Sequence, residues 1–595
     1  MHLLVIGSPS LDTIHIDGKT HQTMGGAGMY MSMAARRSGA EVSMFGPKPD
    51  PIPTVLLPLN ERLEAWMGPA INPDLVPRFE ISHDGDIADY LVANLRSEQE
   101  IDPSSFPKDL SGYDGVHITA MGDAAVQKTF LDLCLERGAR FISFGSWRRN
   151  VDEQAEITRY LLKHTQASFM NEEEAKLLFG SVADAQVYAG QILFITLSDK
   201  GALVIHGKNR THVPAAKIKA NDPTGAGESF CGAVVANLLL GEHPAKAAMR
   251  AVMLAGEKIE GVGPQALLKD ETPPPIPLDA RISLDEKQIK TISHVVKNLS
   301  DADPFGFVSD YLPPAGHPAA LDYFFAVTLQ QFSFWTEKDG KYDHPLIAEI
   351  DGVWRKGSAY MYAAYRRLID SDPAFFSPER QAQVTMEEMK NVFRADDGSD
   401  PMPALALHVE MANVYGRDML ALGTDPENLV EKAMASNKPL ETFVMMLDHV
   451  GGYKEDPLRK KSNLLALCVS QRPEAFLRFG SDESVAPVVD YHCMRAILRQ
   501  GLVNVLDEDL KRKLSERMVL TADEEWAVRF ASYRIQEKVA VLSGKPIGAV
   551  DWFFFNYTRS HCPEMTDPIC AECAVENVCK KRKGMFQPVL RTTYY

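Results

Sequence analysis

A proline-rich segment divides this 595-residue chain into two halves with different patterns. Residues 271–277 carry four prolines, and neither a helix interior nor a central strand can continue through them, because proline fixes φ and lacks an amide donor. Before this segment, longer helical patterns alternate with short apolar runs at 3–6, 116–118, 141–144 and 192–195. After it, amphipathic helical stretches dominate. The pattern predicts an α/β domain with a parallel-rich sheet flanked by helices at 1–272, a linker at 273–285, and a mostly α domain at 286–595.

Composition narrows the class of protein. The apolar fraction of 45% and the charged fraction of 24% are typical of a soluble globular protein. No apolar run approaches the roughly 18 residues of a membrane span, and the chain enters an apolar run at residue 3 without a basic stretch or cleavage site, so we expect a cytoplasmic protein without a membrane partner. The formal charge of -17 argues against a broad basic face for nucleic acid, although the basic run at 580–583 leaves a local patch or a solvated tail open.

A glycine turn precedes a long apolar helical pattern in the first half. The turn is formed by Thr224, Gly225, Ala226 and Gly227, and Glu228 follows directly. Backbone amides at a helix N-terminus favour phosphate oxygens, and a carboxylate beside them could take the proton from an attacking hydroxyl. An ordinary helix entry would give the same local pattern.

A second glycine group lies near the start of the chain. Gly25, Gly26 and Gly28 precede a helical pattern at 29–37, and Asp12 follows the first apolar run. With the later glycine turn, and with the segments 171–174 and 196–201 between the two, this arrangement resembles the PfkB/ribokinase family. The resemblance implies a kinase whose acceptor is a sugar or nucleoside hydroxyl.

The resemblance also implies roles for particular residues. Acceptor hydroxyls would be held by Asp12, Gly25, Gly26, Gly28 and Tyr30. ATP and Mg²⁺ follow from the family, and their binding residues would be Asn171, Glu174, Thr196, Ser198, Gly201, Thr224, Gly225, Ala226 and Gly227.

Two positions depart from the family pattern. Glu228 stands where the family usually has an aspartate as catalytic base, so the same chemistry is expected from a side chain one methylene longer. Tyr30 stands where ribokinase-branch members often carry asparagine. Its ring could stack on a base or sugar, or it could pack within the helix.

The second half carries an acidic residue before a helix. Residues 488–495 include Asp490 and resemble the Val-Asp-x-His-x-x-Arg stretch of helix-hairpin-helix DNA glycosylases, whose aspartate stabilises the cationic sugar. The resemblance implies a helix-hairpin-helix glycosylase-like fold for the mostly α domain. The alternative for Asp490 is a helix N-cap. Upstream, Lys460 and Lys461 lie where some glycosylases place a nucleophilic lysine, and we assign that role to Lys461. A solvated helix face is the alternative for both lysines.

Four of the eight cysteines are clustered near the end of the sequence. Cys562, Cys570, Cys573 and Cys579 are separated by seven, two and five residues, a spacing that allows one metal centre. It resembles the iron-sulfur loop of endonuclease III-type glycosylases, which has one residue fewer in the first gap. We therefore expect a 4Fe-4S cluster, with structural Zn²⁺ as the alternative, and we expect the other four cysteines to be buried apolar residues.

A further similarity concerns the substrate. Residues 332–335, followed by a charged turn and by 393–396, resemble the queuosine-salvage nucleosidases, which release a modified base from a nucleotide monomer. By this resemblance Phe334 and Trp335 would form stacking walls for a base. Core packing would explain both aromatic residues equally well.

The two halves together predict a bifunctional nucleoside salvage enzyme. The N-terminal domain would phosphorylate a nucleoside or sugar, and the C-terminal domain would cleave the N-glycosidic bond of the product. The alternatives are a DNA repair glycosylase with an accessory or inactive kinase domain, and a ligand sensor whose pockets bind without turnover. A homodimer is left open.

Overall fold

The computed structural model describes residues 1–16, 18–84, 87–300 and 306–595. It divides into two compact units, 1–276 and 277–595. The proline-rich segment ends where the second unit begins, but residues 282–284, which the sequence analysis assigned to the linker, form a strand of the second unit.

The N-terminal unit is an α/β domain. Its strands are β1 (His2–Ile6), β2 (Ser10–Ile16), β3 (Lys19–Gly25), β4 (Glu41–Phe45), β5 (Lys48–Pro49), β6 (Ala65–Met67), β7 (Ala70–Ile71), β8 (Arg78–Asp84), β9 (Ile87–Asn94), β10 (Gly115–Ile118), β11 (Ile142–Gly145), β12 (Ala167–Asn171), β13 (Ile192–Thr196), β14 (Ala202–His206) and β15 (Asn209–Val213). Its helices are α1 (Ala27–Arg37), α2 (Leu57–Asn60), α3 (Ala124–Glu136), α4 (Arg148–Glu153), α5 (Ala155–His164), α6 (Glu172–Phe179), α7 (Ala226–Leu239) and α8 (Pro244–Ile259).

A mixed sheet forms the centre of this unit. Its strand order is β15-β14-β13-β12-β11-β10-β1-β4-β6. The strands from β13 to β6 are mutually parallel, and β14 pairs antiparallel with both β13 and β15. Helices α1, α7 and α8 pack on one face, and α3, α5 and α6 contribute to the core on the other. The predicted parallel-rich α/β architecture is therefore confirmed.

A second sheet lies apart from the central one. Its order is β3-β2-β8-β9, and β2 carries Asp12 opposite Thr23 of β3. The chain passes from the carboxyl end of β1 into β2, and from β3 into α1. The β2-β3 pair of this sheet therefore follows directly on the carboxyl end of β1. The carboxyl ends of parallel strands are where open α/β sheets place their ligands.

The C-terminal unit is mostly helical, as predicted. Its helices are α9 (Glu286–Asn298), α10 (Ala320–Thr328), α11 (Ser358–Ile369), α12 (Pro378–Gln381), α13 (Met386–Phe393), α14 (Leu405–Ala421), α15 (Pro426–Met434), α16 (Pro439–Leu447), α17 (Lys460–Gln471), α18 (Tyr491–Gln500), α19 (Glu508–Glu516), α20 (Ala522–Ser543) and α21 (Ile547–His561). Its strands are β16 (Ile282–Leu284), β17 (Trp335–Lys338), β18 (Lys341–Pro345), β19 (Ile347–Ile350), β20 (Val353–Lys356) and β21 (Val503–Val505), which pair as β16-β21, β17-β18 and β19-β20.

The helices of this unit surround their own apolar core. Side chains from α10, α11, α13, α14, α16 and α17 form one large buried cluster. Within the described ranges of both units, no helix combines the length and apolarity that crossing a bilayer requires.

Candidate active sites

The glycine turn of the N-terminal unit opens α7. Gly225 is the N-cap in the left-handed conformation, with φ at 73°, and a Cβ there would lie 2.3 Å from the ring of Tyr30. Only glycine meets both conditions. The turn therefore exposes the first amides of a long helix, and Glu228 lies in its first turn.

Two carboxylates lie near each other beside this turn. Glu228 is half-buried, and burial raises its pKa. Glu174 is buried, and burial together with the nearby Glu228 raises its pKa to about 7, although hydrogen bonds from Ser146 and Asn171 act in the opposite direction. Such a pair is suited to proton transfer and to holding a divalent cation.

Strand ends bring further predicted residues to the same edge of the sheet. Asn171 closes β12 and is paired in register with Thr196, which closes β13. Asn171 and Glu174 also form the capping box of α6, with Oδ1 of Asn171 accepting from the Glu174 amide at 2.9 Å. Ser198, with φ at 56°, and Gly201, with φ at 96°, form the turn after β13.

Asp12 faces the glycine group that precedes α1. Its side chain is buried, accepts a hydrogen bond from Ser10 Oγ at 2.5 Å, and lies so close to Gly25 that a Cβ on Gly25 would be 1.7 Å from Oδ2. Burial raises the pKa of Asp12 to about 7, with Ser10 opposing and Asp222 adding to the effect. Gly26 is the N-cap of α1, and Gly28 packs against the backbone of Gly7.

The C-terminal unit contains a partly open cavity of about 470 Å³. Asp490, Lys460 and Asp551 line it together, from the start of α18, the start of α17 and the first turns of α21. Its aromatic lining residues are Phe307, Tyr311, Tyr362, Phe479, Trp552 and Phe555. Acidic and basic groups inside an aromatic cavity are typical of a site for a flat polar ligand.

Asp490 combines two roles. It is the N-cap of α18, where Oδ1 accepts from the Cys493 amide at 3.0 Å, and it also lines the cavity with only 9% of its surface exposed. Asp490 is therefore the N-cap of α18, and it still lines the cavity.

Asp551 and Lys460 both interact with Asp490. Burial raises the pKa of Asp551 to about 8, and the neighbouring Asp490 carboxylate adds to the increase. Burial lowers the pKa of Lys460, whereas Asp490 and Asp551 act to raise it. Burial thus favours the protonated form of Asp551 at neutral pH, in a cavity that Asp490 and Lys460 also line.

The cysteine cluster forms a separate feature. Cys562, Cys570, Cys573 and Cys579 line one cavity of about 40 Å³, and all eight cysteines of the chain are free. Arg499 Nη1 lies 3.2 Å from Cys562 Sγ, and the Lys581 amide lies 3.3 Å from Cys579 Sγ. Across the described ranges, no group of three or more His, Cys, Asp or Glu side chains is arranged to hold a metal ion. The four thiols thus face a common space without being gathered at bonding distance.

Comparison with protein families assigns the two units separately. Residues 123–271 match the model of the pfkB family carbohydrate kinases, and residues 312–568 match that of the queuosine salvage proteins. The N-terminal half carries a PfkB carbohydrate kinase domain, and the C-terminal half carries a queuosine salvage domain. Comparison with curated proteins gives no match.

Similar solved structures cover the kinase domain. A ribokinase from Cryptococcus neoformans var. grubii serotype A, in complex with ADP, is 20% identical over 46% of this chain and 97% of its own, with a TM-score of 0.39. The aminoimidazole riboside kinase from Salmonella enterica is 19% identical over 45% and 97%, with a TM-score of 0.38. The Burkholderia thailandensis nucleoside kinase, in complex with inosine, is 18% identical over 44% and 93%, with a TM-score of 0.37.

Several sequence predictions concern residues that lie outside the salvage-domain cavity. Phe334 is buried in the main apolar core, and Trp335 packs with Tyr342 and Phe586 in a smaller cluster. Lys461 does not line the cavity; its Nζ donates to the Leu329 carbonyl oxygen at 2.9 Å. The reason is helical geometry, because consecutive residues on α17 point about 100° apart and only one of the two lysines can face the cavity.

Other lining residues were missed by the sequence analysis. Asp551, Trp552 and Phe555 come from one acidic-aromatic run at 551–555, and Arg559 follows one turn later on α21. The signal was the run itself, in which an aspartate precedes four aromatic residues. In the kinase domain, Tyr30 is buried with its ring against Gly225, so the structure places it in the packing of α1 on α7.

Proposed function

We propose that the protein is a bifunctional nucleoside salvage enzyme that phosphorylates a nucleoside and then releases its base. The observation that carries this proposal is the aromatic cavity of the salvage domain, in which Asp490, Lys460 and Asp551 meet. A kinase domain and a queuosine salvage domain in one chain support a common salvage role.

In the kinase half, phosphoryl transfer requires positioning and charge stabilisation more than covalent chemistry. Glu228 would take the proton from the acceptor hydroxyl, and its raised pKa would make it a better base than a solvated glutamate. The amides of residues 225–227 would hold the γ-phosphate at the start of α7. Kinases of the pfkB family use ATP and Mg²⁺, and Glu174 with Glu228 would supply carboxylates for the ion, whose charge would neutralise the phosphates.

In the salvage half, N-glycosidic cleavage leaves positive charge on the sugar ring. The Asp490 carboxylate would face that charge, and Asp551, protonated at neutral pH, would donate its proton to the departing base. Water then adds its hydroxyl to the anomeric carbon, and its remaining proton restores the acid. Aromatic side chains such as Trp552 and Tyr362 would hold the planar base. The resemblance of residues 488–495 to helix-hairpin-helix glycosylases supports this assignment.

Phosphorylation before cleavage has a physical rationale. A phosphate distant from the reacting bond provides binding energy that the enzyme can use at the sugar. Arg559 lines the same cavity and offers a guanidinium for such a group. The kinase product would thus be the substrate that the salvage half holds best.

The cysteine cluster supports a structural metal centre as a second part of the proposal. Four thiols on one cavity form a donor set that suits a 4Fe-4S cluster or Zn²⁺, and Arg499 at 3.2 Å from Cys562 Sγ would stabilise thiolate charge. Binding would require the thiols to move together. A visible absorbance band after anaerobic purification would identify an iron-sulfur cluster. Zinc found by metal analysis, without that band, would identify Zn²⁺. A protein that contains neither metal would refute the proposed centre.

Two substitutions separate the two half-reactions. The full-length protein is incubated with ATP, Mg²⁺ and a nucleoside panel that includes queuosine, and free base and ribose 5-phosphate are measured. Glu228→Gln should reduce phosphorylation by roughly 10²- to 10⁴-fold. Asp490→Asn should reduce base release by roughly 10²- to 10³-fold while the nucleotide accumulates. Asn caps a helix as well as Asp, so folding should be retained. Turnover confined to duplex DNA, or none with any nucleoside, would refute the proposal.

A further inference from the structure

A fully buried lysine lies directly behind the glycine turn of the kinase domain. Lys258 belongs to the last turn of α8, and its side chain has no exposed surface. Its Nζ donates to the carbonyl oxygen of Asp222 at 2.8 Å and to that of Thr224, and it lies 3.2 Å from Asp222 Oδ2. Three oxygens of residues 222–224, which lead into Gly225, therefore surround one cation.

This arrangement is costly unless it is fully paired. Removing an ammonium from water costs several kcal/mol, and a buried charge is tolerated only with an opposite charge and satisfied hydrogen bonds. Burial lowers the pKa of Lys258, but Asp222 acts against that effect. Burial also acts to raise the pKa of Asp222, yet Lys258 and the Gly263 and Thr224 amides hold it below its ordinary value. The carboxylate is thus ionised and faces the ammonium.

The lysine is part of a network that fixes the turn from several sides. Asp222 accepts from the Gly263 amide at 2.7 Å and from the Thr224 amide at 3.0 Å. The amide of Asp222 in turn donates to the carbonyl oxygen of Ile259, the residue after Lys258. The end of α8 therefore holds both the backbone and the side chain of Asp222.

Lys258 also interacts with Tyr30 and with Glu228. Its Nζ lies 5.2 Å from the centre of the Tyr30 ring, the ring that packs on Gly225. Its charge acts to lower the pKa of Glu228, which places it within electrostatic reach of the proposed base. Lys258 therefore contacts the turn and lies near the ring that packs on it, and its charge reaches the proposed base.

We propose that Lys258 is a positioning residue for phosphoryl transfer, whose ammonium fixes residues 222–225 so that the amides of the glycine turn and Glu228 face the γ-phosphate. This inference rests on the proposed kinase activity. It assigns to Lys258 a fixed positive charge behind an anion-binding turn, where that charge needs no reorganisation during the reaction.

The oxygen set suggests a direct test by chemical rescue. Truncation to Lys258→Ala leaves two carbonyl oxygens and one carboxylate around a space that a small amine can fill. Methylammonium chloride is the probe. Lys258→Met fills most of that space without a charge, so the amine should rescue Lys258→Ala and not Lys258→Met. Lys246→Ala is the matched control, because Lys246 lies on the same helix and pairs with Glu242 at 2.8 Å, away from the turn.

We expect kcat for ATP-dependent phosphorylation to fall by about 10²-fold in both Lys258 variants, with a much smaller change in KM, because displacement of catalytic groups by about 1 Å has that cost. Methylammonium should restore part of kcat in Lys258→Ala. Lys246→Ala should keep the wild-type kcat. A kcat within twofold of wild type in Lys258→Ala, or no rescue of a folded variant, would overturn the proposal.

Amide hydrogen exchange on the full-length protein tests the same claim without turnover. Exchange at Thr224, Ala226 and Ser229 should be faster in Lys258→Met than in the wild type and in Lys246→Ala. Unchanged protection would overturn the positioning role. A wild-type protein that phosphorylates no sugar or nucleoside would instead refute the proposed kinase activity, while the exchange result would still decide whether Lys258 fixes the turn. If Lys258→Met unfolds, the Asp222→Asn/Lys258→Met double variant removes both buried charges, and it should show the same faster exchange.

Discussion

At the scale of single residues, the raised pKa of Asp551 predicts a particular dependence of stability on pH. An aspartate whose pKa rises from 3.8 to about 8 on folding binds its proton more tightly in the folded state. Between these two values the folded protein holds a proton that the unfolded chain lacks, so the contribution of Asp551 to stability falls as pH rises and is constant above about pH 8.

Asp551→Asn tests this sign, because asparagine imitates the protonated carboxyl at every pH. The Tm of the variant relative to the wild type should rise steadily between pH 5 and pH 8. Using the difference between two proteins cancels the other groups that titrate in this range. A Tm difference that is constant with pH, or that falls as pH rises, would contradict the protonated state of Asp551.

The two adjacent lysines of α17 give a second prediction at this scale. Lys460 lines the cavity, whereas Lys461 is bonded to the Leu329 carbonyl oxygen and lies 5.2 Å from the centre of the Phe332 ring. Lys460→Met should therefore lower kcat for base release with little change in Tm. Lys461→Met should lower Tm and leave the kcat of the folded fraction near the wild-type value. The reverse pattern would return the catalytic role to Lys461.

Sequence alone could not choose between these lysines. Both are followed by the same amphipathic pattern, and a rotation of about 100° between neighbours decides which one faces the cavity. Asp490 was proposed from the resemblance of residues 488–495 to glycosylases, and the structure gives it both the N-cap bond and a place on the cavity. Phe334 and Trp335 show the opposite case: large aromatic residues serve cores and ligand walls equally well, and only the tertiary structure separates the two uses.

At the scale of elements, a buried ion pair holds the start of α17. Asp456 accepts from the Lys460 amide at 2.8 Å, and Arg529 of α20 meets Asp456 with two hydrogen bonds, at 2.8 and 2.6 Å. The side chain of Arg529 has no exposed surface. Because α17 carries Lys460 into the cavity, this pair links the stability of the helix to the geometry of the site.

Arg529→Met should destabilise the salvage domain by roughly 3–5 kcal/mol, the usual cost of leaving one buried charge without its partner. Thermal unfolding should show the loss. The double variant Asp456→Asn/Arg529→Met should recover part of the lost stability, because neither buried charge then remains. Additive losses in the double variant would show that the two side chains do not act as a pair.

The central strands of the kinase domain were predictable because their signal is local. β1, β10, β11 and β13 are apolar runs bounded by polar turns, as buried parallel strands must be. The sheet β3-β2-β8-β9 was not predicted, because β2, β3 and β8 are rich in Thr, His and Asp and form no continuous apolar run. β2, which carries Asp12, joins this sheet by pairing with β8, a distant segment of the chain. A local sequence pattern does not contain such a pairing.

At the scale of the whole molecule, each unit has its own apolar core. The kinase domain buries one cluster on each face of its sheet, and the salvage domain buries a separate cluster among its helices. A substitution in one active site should therefore leave the fold of the other domain unchanged. This independence allows the two proposed activities to be assayed one at a time in the intact chain.

The order of the two reactions is then open to a decisive measurement. If phosphorylation must come first, the wild type should release base from a nucleoside only when ATP is present, whereas a nucleoside 5′-phosphate should release base without ATP. Glu228→Gln should block release from the nucleoside and leave release from the 5′-phosphate unchanged. Arg559→Met should raise KM for the 5′-phosphate and have little effect on release from an unphosphorylated nucleoside, because only the phosphate has a charge for the guanidinium to bind. Equal release from both substrates without ATP would mean that the kinase domain serves a different acceptor, and that the cavity recognises the base and sugar alone.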